Sequence, residues 1–301
     1  MSLEVQGRLQ KMHTELKDGL AQYSLAINGN FHKLNDYLVS SQITELSIEF
    51  VQEINCIHCD RHIKKTFNQG YCFPCFRALA QCDSCIVSPE KCHFRFGTCR
   101  EPEWAEKYCI QTHVCYIANS SGLKIGLTRA TQLPTRWIDQ GATQGLIIAR
   151  VATRYQAGLL ETICKQHLND RTNWQQMLKQ KSEHLDLYKI REDLYNTIEE
   201  ELSELQVQFN NNQIVWSSDD LITEIDYPII EYPKKVSSLD LEKKLKITGR
   251  LQGIKGQYLI LDTGVINLRK YTGYNVKINL SSSSEAVHRD FVKGSEQVLV
   301  Q

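Results

Sequence analysis

A chain of 301 residues is long enough to bury a substantial core and to divide into two or three domains. Its 42% hydrophobic and 23% charged residues are the balance of an ordinary soluble globular protein, and a formal net charge of zero excludes a wholly basic nucleic-acid coat. No run approaches the roughly eighteen apolar residues of a membrane span, and the opening MSLEVQGRLQKM lacks the basic-then-apolar layout of a signal peptide, so the expected setting is cytoplasmic, with no membrane partner.

Residues 1–54 read as a β-rich N-terminal module. Gln22 to Ile27 and Ile43 to Phe50 alternate apolar and polar side chains, and Asn28-Gly29 is a turn signal between strands. Part of this segment is echoed near the other end of the chain. Gly7-Arg8-Leu9-Gln10 recurs as Gly249-Arg250-Leu251-Gln252, and Gln22-Tyr23 with Gly29 recurs as Gln257-Tyr258 with Gly264. The echo fits two halves of one small β-barrel, two related β-modules, or turn chemistry shared by unrelated hairpins.

Residues 55–110 form a Cys-rich module. Eight of the eleven cysteines fall between 56 and 99, six of them as Cys-x-x-Cys pairs. In a reducing compartment such pairs read as metal ligands rather than disulfides. Cys56 and Cys59 are separated by twelve residues from Cys72 and Cys75, with Asn68-Gln69-Gly70 as the tip of an intervening hairpin. Two such knuckles facing each other set four thiolates around one Zn²⁺, the pattern of a structural zinc ribbon. Cys82, Cys85, Cys92 and Cys99 are expected to form a second four-thiolate set, with His93 as a substitute ligand and an iron–sulfur cluster as the competing occupant. The module is locally basic, with Lys64, Lys65 and Arg95 among phenylalanines. That combination suits nucleic acid, and equally a small metal-centred core with solvated lysines.

Residues 111–180 contain, from Cys115 to Trp137, CYIANSSGLKIGLTRATQLPTRW, a hairpin turning at Ser-Ser-Gly and followed by closely spaced cations. Helices follow: Ala157, Leu160, Cys164 and Leu168 fall on one face, as do Leu194, Ile198, Leu202, Leu205 and Phe209 in a helical extension over 181–225 that ends at Asn210-Asn211-Asn212. The acidic flank of the second helix reads as a solvated face. A linker over 226–243, with Pro228 and Pro233, leads into a C-terminal β-module at 244–301.

Tyr116, then Lys124-Ile125-Gly126, Thr128 and Arg136 resemble the core of the GIY-YIG endonuclease superfamily, in the branch whose second motif reads Lys-Ile-Gly. The resemblance covers about residues 113–178. It implies a small α/β domain in which Glu161 holds Mg²⁺ or Mn²⁺ and Arg136 contacts the scissile phosphate. Tyr116 would orient or deprotonate water, and Asn173 would follow the glutamate. Lys124 stands where a tyrosine is usual and is expected to pair with phosphate as a point charge. Arg129, Arg150 and Arg154 would extend the positive surface. Purely structural roles are the alternative for each: a strand aromatic, a surface cation, a salt-bridged glutamate, and a glycine needing positive φ at Gly126. Over nearly the full length, QGYCFPCF, CDSCIVSPEKCHFRFGTCREPEW, RWIDQGA, TNWQQML and GRLQGIKGQYLILDTGVINLRK resemble the prokaryotic domain-of-unknown-function family 2797, which implies a domain order but no reaction.

The expected fold is therefore α+β, with β-rich ends, a zinc-ribbon-like module and a GIY-YIG-like middle carrying a helical extension. The expected function is that of a zinc-binding protein that binds DNA or RNA, with divalent-metal-dependent phosphodiester cleavage of the GIY-YIG type as its sharper form. A catalytically inactive zinc-stabilised module that binds RNA or a protein is the alternative.

Overall fold

The computed structural model describes residues 1–39, 42–168, 173–210 and 212–284. Residues 285–301 of the expected C-terminal module, and Asn211 at the expected helix end, lie outside the described residues.

The N-terminal segment forms β1 (Ser2–Arg8), β2 (His13–Lys17), β3 (Leu20–Ile27), β4 (Asn30–Lys33) and the long β5 (Gln42–Asn55). Both tight turns use an Asx-Gly pair with positive φ, Asp18-Gly19 and Asn28-Gly29, whose backbone twist matches the strands they join. The Cys-rich module has little regular structure: β6 (His62–Ile63), α1 (Phe73–Ala78), four 3₁₀ turns and α2 (Pro102–Tyr108).

The middle of the chain is an antiparallel sheet. Its strands are β7 (His113–Asn119), β8 (Leu123–Arg129), β9 (Gln144–Val151) and β10 (Ile214–Trp216), ordered β10-β9-β7-β8, with β11 (Thr223–Glu224) also pairing β9. Between them lie α3 (Thr135–Asp139), α4 (Arg154–His167), α5 (Trp174–Lys179) and α6 (Leu187–Gln208). Every residue of β7 is buried because the sheet is covered on both sides. Cys115 and Ile117 pack with Leu160 of α4 and Leu194, Ile198 and Leu202 of α6, whereas Tyr116 and Ala118 share a core with Trp137, Ile138 and the terminal strands. The α4 stripe read from sequence is buried at Ala157, Leu160 and Cys164. A capping box of Thr153 and Gln156 starts this helix and satisfies two of its free N–H groups.

The C-terminal segment adds β12 (Lys246–Lys255), β13 (Tyr258–Leu261), β14 (Gly264–Asn267) and β15 (Tyr274–Ser284). It does not stand apart from the N-terminus. One sheet runs β1-β15-β5-β12-β13-β14, so each segment's first long strand pairs with the other segment's last. The register is that of a pseudo-two-fold axis. Ile48 and Ile278 oppose each other at the centre, Gly7 opposes Val276, and Gly249 opposes Leu46. The repeated Gly-Arg-Leu-Gln occupies matching places: the Arg8 amide donates to Asn28 Oδ1 at 2.8 Å and the Arg250 amide to Asp262 Oδ1 at 2.8 Å. The sequence echo is thus a structural repeat whose halves complete each other's sheet, burying Leu46, Ile48, Ile247, Val276 and Ile278 in one core. Among the described residues no helix is long and apolar enough to cross a membrane.

Candidate metal centre and adjoining cleft

The first four cysteines converge as their spacing predicts. Cys56 and Cys59 sit on a tight turn closed by the Asp60 amide donating to the Cys56 carbonyl at 3.0 Å. Cys72 caps α1 and Cys75 lies in its first turn. Between them Phe67 and Tyr71 exchange backbone hydrogen bonds around Asn68, Gln69 and Gly70, all with positive φ. The four sulfurs lie within 4.8 Å of one another, with Cys59 and Cys72 at 3.7 Å. Zn–S bonds of about 2.3 Å set tetrahedral sulfurs about 3.8 Å apart, so the group could hold a zinc ion with little rearrangement. The Cys72 amide donates to Cys56 Sγ at 3.2 Å. Although burial opposes ionisation, this amide and those of Cys59 and His58 bring the Cys56 thiol down to about 6, toward the thiolate a metal requires.

The second expected set is rearranged. Cys85, Cys92 and Cys99 line one small cavity, but Cys82 lines a different one with Asn68, Phe76 and Arg100. The cause is the chain path: successive 3₁₀ turns at Ala80–Cys82 and Ser84–Ile86 turn the two members of that Cys-x-x-Cys pair to different sides. His93 has taken other partners, Thr98 Oγ1 at 2.8 Å and Asp83 at 3.4 Å, and Asp83 is itself paired with Arg100 at 2.8 Å.

Tyr116 lies within electrostatic reach of both Arg136 and Glu161. Tyr116 is fully buried and donates its hydroxyl to Gln140 Oε1 at 2.9 Å. Burial pushes its phenol up, with Arg136 opposing and Glu161 reinforcing the shift, so the tyrosine keeps its proton at neutral pH. The Nε of Arg136 is buried without a hydrogen-bond partner among the described residues. Glu161 is ion-paired with Lys165 at 3.1 Å rather than with Arg136. Gly126 lies directly across from Tyr116 on the edge strand β8, and a Cβ there would fall 2.6 Å from the tyrosine oxygen. Close approach, not positive φ, explains this glycine. Trp137 stacks edge-on against Tyr116 at 5.9 Å and lies over Gly145 in the same way.

Lys124 and Asn173 stand apart from that trio. Asn173 caps α5 by accepting from the Gln175 and Gln176 amides. The three further arginines expected on the positive surface are committed elsewhere: Arg129 stacks on Tyr108, Arg150 pairs with Asp220, and Arg154 donates to the Ile86 carbonyl at 2.6 Å. Lys124 instead lines a cleft of about 260 Å³ with Gln140, Trp174, Tyr258, Arg269 and Gln69. Gln140 joins cleft and trio, because its side chain lines the first and accepts the Tyr116 hydroxyl of the second. Trp174 and Tyr258 stack with rings 5.6 Å apart and only 5° from parallel. Arg269 donates from Nε to Gln69 Oε1 at 2.6 Å. Gln69 is the tip of the zinc-site hairpin, so three distant parts of the chain build one cleft. Trp174, Tyr258 and Arg269 carry no local sequence signal of a site; only the fold assembles them.

His113, at the start of β7, is a buried group with a solution consequence. It is fully inaccessible, its Nδ1 lies 2.7 Å from the Gln111 carbonyl, and its Nε2 has no partner among the described residues. Burial pushes it down to about 4 from 6.5, so between those values the unfolded chain binds a proton that the folded chain refuses. Stability is therefore lost as pH falls through this window, by roughly 3 kcal/mol at the full shift. Urea titrations at pH 7 and pH 4.5 should show a smaller acid loss in His113→Gln than in the wild type. Equal losses would mean that His113 is not buried neutral.

Residues 44–276 match the family described as Protein of unknown function (DUF2797), and the chain belongs to that family. No curated protein and no solved structure matches it.

Proposed function

We propose that this protein grips a nucleic-acid backbone in the cleft between its central sheet, its zinc hairpin and its C-terminal strands. The observation that carries this reading is the cleft's chemistry: Lys124 and Arg269 beside a parallel Trp174–Tyr258 pair, with no carboxylate ion-paired to either cation among the described residues. Cations that follow a phosphate chain next to aromatic faces that stack on unpaired bases are what single-stranded nucleic acid requires. Asp139 also lines the cleft, but its charge is taken up by Lys11 and by Gln257 at 2.8 Å.

The electrostatic reach of Tyr116 to Arg136 and Glu161 favours a second step, hydrolysis of a phosphodiester of the GIY-YIG type. Glu161 would supply one carboxylate to a Mg²⁺ or Mn²⁺ ion and leave its other positions to water and phosphate, a common arrangement for these hard cations. Such an ion offsets charge on the phosphoryl oxygens. Arg136 would meet the phosphate, and Tyr116, protonated and held by Gln140, would orient rather than abstract a proton. The Lys165 ion pair must yield for the ion to enter.

Fluorescence anisotropy with labelled single-stranded DNA and RNA oligonucleotides tests the first step. Lys124→Glu with Arg269→Glu should weaken binding at least tenfold and flatten its salt dependence by about the two lost phosphate contacts. Unchanged affinity would remove the cleft from consideration. With Mg²⁺ or Mn²⁺ present, nicking that survives Glu161→Ala would reject the catalytic step and leave a binding module.

A further inference from the structure

We infer that Cys85, Cys92, Cys99 and Cys109 hold a second structural zinc ion, with Cys109 in the place that local spacing assigns to Cys82. Three observations carry this. The four thiols, from four separate turns, line one cavity of about 10 Å³, whose other walls include Ile86, Phe94, Trp104 and Ala105. That is room for one water-sized body, enough for an ion and too little for a four-iron cluster. All four cysteines are free thiols, and Asp83 and His93 line the same cavity.

The second observation is how little else holds this segment. From Leu79 to Cys109 the fully buried apolar side chains besides cysteines are Leu79, Ala80, Pro89 and Ala105, and the only helix longer than one turn is α2. Thirty or so residues with so small a core need a covalent or metal cross-link to keep one conformation. The third observation is Arg154. This arginine is half-buried, its buried Nε has no partner among the described residues, and its amide and Nη2 donate to Cys109 and Ile86 carbonyls at 2.8 and 2.6 Å. The Glu161 charge acts on this guanidinium, and Zn²⁺ with four thiolates, at a net charge of −2, would add to the negative charge that a partly buried cation favours. Asp83 and His93 bring ligand atoms within 4.8 Å of Cys85 Sγ, but Asp83 is paired with Arg100 and His93 lies 2.8 Å from Thr98 Oγ1; a shell built on them instead would contain histidine nitrogen.

Zinc per chain, by inductively coupled plasma mass spectrometry on full-length protein purified under reducing conditions, tests this together with X-ray absorption at the zinc edge. The wild type should carry two zinc ions with an all-sulfur average shell. Cys82→Ser should keep both, and Cys109→Ser should lose one. A wild type with one zinc, a shell containing histidine nitrogen, a visible cluster band, or the opposite pattern in the two variants would each overturn the assignment. Should Cys109→Ser fail to fold, Cys82→Ser decides: two zinc ions retained support the assignment, and loss of one overturns it. Because no nucleic acid enters these measurements, their outcome is separate from that of the cleft.

Discussion

Cys72→Ser should release zinc from the first centre and unfold the segment from Cys56 to Phe76. Within that stretch only Cys56, Gly70 and Cys72 are buried, so a zinc ion held by the four cysteines would take the place of a hydrophobic core. Structural zinc binding to such peptides is worth about 10–16 kcal/mol at neutral pH, far more than any contact the hairpin makes by itself. Cys72 is a ligand whose loss can be isolated, because serine keeps its amide hydrogen bond to Cys56 Sγ and its place as N-cap of α1 and removes only the thiolate. The loss should stay local. The β5–β15 pairing extends over ten residues beyond the metal and shares the main core, so it has support of its own. Hydrogen exchange followed by mass spectrometry should show residues 56–76 exchanging freely in the variant, or in wild type stripped by chelator, while β7 and β15 remain protected. Retained protection over 56–76 would mean that the hairpin folds without metal. Since Gln69 is the Arg269 partner, the cleft should lose one wall at the same time.

What could be read from the chain divides along sequence distance. The convergence of the first four cysteines was legible because each knuckle is four residues long and the hairpin between them closes locally. The second set was not. Cys109 lies ten residues past Cys99 beyond α2, and the direction each cysteine faces depends on 3₁₀ turns that leave no periodic trace. The Gly-Arg-Leu-Gln echo announced a repeat, yet the exchange of strands between its halves joins residues more than 200 apart, as in Val5 against Ile278. Hydrophobic patterning cannot encode that choice of partner, because either half offers the same alternating face. The cleft was half legible: Lys124 was singled out for its position behind the hairpin, but Trp174, Tyr258 and Arg269 look ordinary in their own segments. Arg154 was assigned to a surface and instead ties α4 to the Cys-rich module, beside Gly158, where a Cβ would meet the Glu90 amide at 2.5 Å.

Gly126→Ala should be among the most costly single-methyl additions in the molecule. The new Cβ would lie 2.6 Å from Tyr116 Oη, 2.7 Å from Cζ and 3.0 Å from Cε2. The ring cannot swing away, since Trp137 packs edge-on against it and Gln140 holds its hydroxyl. Overpacking of this kind costs about 1–3 kcal/mol, and a rigid, fully enclosed ring places the cost toward the upper end. A strand that must move to relieve the clash would also carry Lys124 and Thr128 with it. A double-mutant cycle separates ring from hydroxyl. Tyr116→Phe keeps the Cζ and Cε2 contacts and should leave the Gly126→Ala penalty nearly intact. Tyr116→Leu is too short to reach the new methyl and should cancel most of it, giving a coupling of about 1–2 kcal/mol in urea unfolding. If the alanine costs the same beside tyrosine and leucine, the close approach of Tyr116 is not why glycine stands at this position.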